Sequence, residues 1–97
     1  MRITTAAVAG VSGTSALARL ALADAAWAAG EPVRAVDEAR RAQALDPDSQ
    51  DAAQRVLEYG LRVEPTRAIK DTYAYLDRHP DRRGLQLLLV SRLTGLG

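Results

Sequence analysis

A period of 33 residues constrains this chain more than anything else in it. Glu31-Pro32 returns as Glu64-Pro65, Arg34-Ala35 as Arg67-Ala68, and Pro47-Asp48 as Pro80-Asp81, every pair offset by 33. Val36 with Ile69 and Glu38 with Asp71 add conservative matches. Six of the eighteen positions from Glu31 to Asp48 are identical in the second copy. A unit of this length cannot bury an apolar face by itself, so copies must stack and share a core.

The punctuation inside the period says what each unit is. Ser15 is placed to cap a helix from Ala16 to Ala29, and Gly30 supplies the left-handed conformation common just past a helix end. Pro32 suits the first turn of a second helix, where its missing N–H costs nothing, and Glu31 puts negative charge at that helix's positive end. This helix should run to about Leu45, because Pro47 cannot continue it, and Asp48 or Ser49 can cap the next. The second unit repeats the pattern: a helix from about Gln50 to Arg62, a turn at Val63-Glu64, and a helix from Pro65 to Arg78 that Pro80 stops. A fifth helix should span Arg82 to Thr94. Alanine dominates the composition and favours close helix packing, while strand formers never alternate with polar residues, so the expectation is all-α.

Two helices per unit, a glycine-containing turn between them and a closing proline resemble the tetratricopeptide repeat, with about two and a half copies between Ala16 and Gly97. In repeat one, Leu22, Ala23, Ala26, Gly30, Ala35, Ala39, Ala42 and Pro47 fall on that family's signature positions. Ala26 and Ala39 stand in place of aromatics there, and Arg19 in place of the first tryptophan. Leu57, Gly60, Ala68, Tyr75 and Pro80 correspond in repeat two, where Val63 replaces the turn glycine. Leu89, Val90, Leu93 and Gly97 correspond in the half-repeat. The resemblance implies a right-handed α-α superhelix of helical hairpins: repeat one over 16–47, repeat two over 48–80, and the first helix of a third over 81–97. It also implies that the first helix of each hairpin lines a concave groove that takes a peptide or a partner helix. By register that groove holds Leu17, Leu20, Asp24, Trp27 and Ala28 in repeat one, and Asp51, Gln54, Glu58, Leu61 and Arg62 in repeat two. Asp24 and Glu58 occupy one repeat position and suggest a faintly acidic stripe, suited to a ligand with basic and apolar residues. Trp27, the single tryptophan, is either its anchor or ordinary packing. The basic and asparagine clamp with which some relatives hold a C-terminal carboxylate is missing.

Chemistry is sparse. His79 is the single histidine and there is no cysteine, so disulfides and cysteine-ligated metal sites are excluded and no cofactor is implied. His79 stands in His79-Pro80-Asp81, the cognate of Asp46-Pro47-Asp48, and reads as part of a turn. The serines and threonines lack a base to activate them. Asp37-Glu38, Asp46-Asp48 and Glu58 read as solvated carboxylates, with Arg34 four residues from Glu38 and Arg67 four from Asp71 as same-face pairs. Gly10-Val11-Ser12-Gly13 lacks the rest of a phosphate-binding loop. The formal net charge is +1 with signs interleaved, and Arg40-Arg41 and Arg82-Arg83 sit near carboxylates, so nucleic acid is not the expected partner.

Residues 1–15 read as a leader or the remnant of a preceding helix. Met1-Arg2 and the small apolar residues Ala6 to Val11 faintly resemble a secretory signal, but Arg19 and Asp24 interrupt the stretch that would have to follow. No run of apolar residues is long enough to span a bilayer. The compartment stays open between cytoplasm and periplasm; the Ala- and Arg-rich, Lys-poor composition points to a bacterial assembly or a longer array. The expected function is a non-catalytic protein-interaction scaffold. The rival is a self-assembling protein that pairs into a homodimer through Leu85, Leu87, Leu88, Leu89, Val90 and Leu93, which put apolar groups on nearly every side of the last helix.

Overall fold

The computed structural model describes residues 3–96, with side chains from Ser15 to Gly95; Gly97 lies outside them. Five helices follow one another: α1 (Ile3–Ala28), α2 (Pro32–Leu45), α3 (Gln50–Val63), α4 (Pro65–Arg78) and α5 (Arg83–Leu96). Each runs antiparallel to its predecessor and packs against it, and no strand occurs among the described residues.

The hairpin turns are made by the residues that announce them. Gly30 has φ +79°, its N–H donates to the Trp27 carbonyl (3.1 Å), and the Glu31 N–H donates to the Ala26 carbonyl (2.9 Å). That is a Schellman closure, which satisfies the orphan carbonyls at the end of α1 and lets Pro32 open α2 at once. Between α2 and α3 the capping residue is Ser49, whose Oγ accepts the Ala52 N–H at 3.1 Å, while Asp51 and Arg62 sit at the ends of α3 that favour their charges. Val63 replaces the glycine of the second hairpin without strain. Glu64 alone separates α3 from α4, at φ −146° and ψ 66°, and its N–H donates to the Gly60 carbonyl.

Two boundaries differ from expectation by more than one residue. Helix α1 begins at Ile3, so Ser15 lies within it and caps nothing. The segment before Ser15 holds no proline, and an interior glycine costs only about 1 kcal/mol, so no residue there has the power to start the helix afresh. Helix α5 likewise passes through Gly95 instead of stopping at Thr94.

The helices form two layers. The first helices α1, α3 and α5 touch side by side, α2 and α4 lie behind them, and α2 and α4 have no close backbone approach to each other. Alanine makes this spacing possible: Ala23, Ala35, Ala39, Ala42, Ala52 and Ala68 are fully buried, so the axes approach closely. Seams of Leu20 with Ala42 and Ala52, and of Ala23 with Ala39 and Val56, join the first hairpin to α3. A larger cluster of Ala53, Leu57, Tyr75, Leu85 and Leu89 joins α3, α4 and α5. The tightest point is Gly60, where an added Cβ would lie 2.7 Å from Ala68 Cβ.

Candidate interaction surface

The face made by α1, α3 and α5 holds the positions expected to form a groove, but it does not use them all alike. Leu17, Ala28, Asp51 and Arg62 are exposed there and Gln54 is half-buried. Leu20 is 7% exposed and belongs to the core under Ala42 and Ala52, and Leu61 packs largely onto the Leu57–Tyr75 cluster. Both were expected to face a ligand. Their helices turn them inward instead, because a leucine side chain removed from water stabilises the fold more than one left exposed.

Trp27 lies flat on Tyr59 of the next hairpin, with ring centroids 4.5 Å apart and planes 15° from parallel. It stays 38% exposed, so packing claims one face of the indole and solvent the other. Beside this stack, Arg55 forks onto Asp24, Nε donating to Oδ1 and Nη2 to Oδ2, both at 3.0 Å, and the Tyr59 hydroxyl donates to the same carboxylate. Arg55 holds the Asp24 carboxyl below its ordinary range. Burial, reinforced by the carboxylate, pushes the Tyr59 phenol up to about 12. One period on, Arg92 Nη2 donates to Glu58 at 2.8 Å.

These pairs overturn the acidic stripe. Asp24 and Glu58 are each answered by an arginine from the following first helix, so these two positions carry paired charge. Arg55, Tyr59 and Arg92 went unrecognised in the sequence. The usable signal was an arginine about one period after each carboxylate, which only a register between neighbouring first helices makes meaningful. A cleft of about 230 Å³ between Trp27, Gly30, Pro32 and Arg62 notches the edge of this face.

The opposite side is also held by ion pairs. Arg40 reaches from α2 to α4, binding Glu64 and Asp71, the latter at 2.7 Å. Glu38, expected on a solvated face beside Arg34, is 6% exposed and pairs with Arg19 at 2.9 Å; Arg34 approaches Glu31 at 3.6 Å instead. Arg67 and Asp71 do approach, at 3.9 Å. His79 packs on the Tyr75 ring with Nε2 3.1 Å from Asp48 Oδ1, and the Tyr75 hydroxyl donates to the Asp48 carbonyl at 2.8 Å, so the two proline turns are tied together. Among the described residues no three potential ligands gather as a metal site requires, and no helix is long and apolar enough to cross a membrane.

On the last helix the expected all-round exposure divides. Leu85 and Leu89 are buried, closing the core over Leu57 and Tyr75, and Leu88 and Leu93 pack partly against it. Leu87 and Val90 stay exposed, at 70% and 59%. Val90 and Leu93 line a groove of about 400 Å³ with Tyr73 and Leu76 of α4.

Comparison with protein-family models, curated proteins and solved structures finds no match to this chain.

Proposed function

We propose that the chain is a tetratricopeptide-like repeat module that binds a protein segment on the face formed by α1, α3 and α5, and that it is a scaffold without catalytic activity. The observation that carries this is the asymmetry of the two layers: first helices touch, while second helices have no close backbone approach and are bridged by the long Arg40 side chain. A stack closer on one side than the other curves towards that side, which supports reading the first-helix face as the concave one. The burial pattern agrees, since Ala23, Ala26, Ala35, Ala39, Ala42, Leu57, Ala68 and Tyr75 are all core. Leu22 departs from it, being 41% exposed.

The ligand fitting this face is an extended or helical segment with apolar or aromatic side chains for the free side of Trp27 and for the exposed Leu17 and Ala28. With Asp24 and Glu58 already neutralised, salt should weaken binding little.

Trp27→Ala is a poor probe, because it also removes the stack on Tyr59. Ala28→Glu alters a residue on the exposed surface of α1. Whatever protein co-purifies with the intact chain should be lost, by about tenfold or more, with Ala28→Glu and retained with Ala44→Glu on exposed α2. Equal retention by both variants sinks the concave-face reading.

A further inference from the structure

The 33-residue period relates two surfaces of this molecule, one covered and one open. The covered surface holds Arg40 of α2 with Leu57 and Gly60 of α3, and half-buried Gln43 lies one turn on from Arg40. Helix α4 lies on it: Leu57 is fully buried with Tyr75, Gly60 meets Ala68, and Arg40 binds Glu64 and Asp71. One period later the same positions are Tyr73, Leu76, Val90 and Leu93. They line the groove between α4 and α5, and no described helix lies on it. Val90 is 59% exposed where its cognate Leu57 is wholly buried, and Tyr73 is 53% exposed.

The substitutions across the period state what this open surface accepts. It fits a helix running antiparallel to α5, as α4 runs to α3. Tyr73 in the place of Arg40 removes the cation that anchors Glu64 and Asp71, so the occupant needs no carboxylate there. Leu93 in the place of Gly60 keeps its axis further off, so larger apolar side chains must fill the gap.

Helix α5 itself meets each requirement. It contains no acidic residue, and Leu87 and Val90 stand exposed on one side with Leu93 and Thr94 a turn further on. A two-fold axis places the α5 of a second copy antiparallel to the first. Val90 and Leu93 then both line the groove and fill it, the self-complementarity that an isologous contact demands. We infer that two copies of this chain pair about a two-fold axis, the α5 helix of each occupying the α4–α5 groove of the other. This contact lies apart from the concave face and stands or falls independently of it.

The test is the mass of the intact chain by equilibrium sedimentation at tens of micromolar, where the expected value is twice the 10.4 kDa of one chain. Val90→Glu and Tyr73→Arg alter residues exposed in the single copy, so both variants should keep the helical circular dichroism spectrum. Each should weaken association by about tenfold or more, because each leaves a charge buried in the pair. Ala28→Glu should leave the dimer intact. A wild-type chain that sediments as a monomer overturns the inference, and so does a dimer indifferent to both Val90→Glu and Tyr73→Arg.

Discussion

Gly60 shows how a single residue sets the distance between helices. On helix propensity alone Gly60→Ala should stabilise α3 by about 1 kcal/mol. The new methyl would lie 2.7 Å from Ala68 Cβ, which is fixed to the backbone and cannot swing away, so α3 and α4 must part. Overpacking of this kind costs about 1–3 kcal/mol and outweighs the gain. Urea unfolding should show Gly60→Ala less stable than wild type by about 1 kcal/mol. In a double-mutant cycle with Ala68→Gly, the two changes together should cost less than the sum of their separate costs, and simply additive losses would refute the contact. Other residues carry information that no local pattern contains. Asp24 and Glu38 look like ordinary helix-surface acids, but their arginines lie 31 and 19 residues away, on other helices. Charge spacing along one helix predicts only partners three or four residues off, which is why Arg34 was matched to Glu38 and Arg55 was missed.

At the level of the element, legibility followed the strength of the stop signals. Helices α2 and α4 begin at Pro32 and Pro65 as expected, and end where Pro47 and Pro80 forbid continuation. The start of α1 was misplaced because a serine caps a helix only where the backbone before it leaves helical geometry, and nothing ahead of Ser15 enforces that. The open choice between Asp48 and Ser49 is decided by geometry, since Ser49 accepts the Ala52 N–H. Ser49→Ala should therefore cost about 1 kcal/mol of stability, measurable by chemical denaturation. Ser49→Asp, which keeps an acceptor at the cap, should recover most of it. An unchanged Ser49→Ala variant would show that water satisfies the end of α3 equally well.

In the whole molecule, neighbouring hairpins are fastened by arginine–carboxylate pairs around a thin, alanine-rich core. Arg55 with Asp24 joins α1 to α3, Arg92 with Glu58 joins α3 to α5, and Arg40 with Glu64 and Asp71 joins α2 to α4. Helix number and order were readable from the period and its punctuation, but these fasteners depend on which helices become neighbours, and so on the fold itself. They make the stack sensitive to acid in a definite direction. Arg55, and then the Tyr59 hydroxyl, hold the folded Asp24 carboxyl below its ordinary value of 3.8. The unfolded chain therefore takes up this proton at higher pH than the folded one. The stabilisation is fully present above that ordinary value and is lost as pH falls through the lower, folded one. Melting followed by circular dichroism should show a temperature midpoint that falls steeply below about pH 4 in the wild type. Asp24→Asn, which has no proton to take up, should start a few degrees lower at neutral pH, the scale set by about 1 kcal/mol in a chain of this size, and fall less steeply in acid. Parallel curves for the two proteins would mean that Asp24 plays no part in acid unfolding, and that the pair with Arg55 does not hold the first two hairpins together.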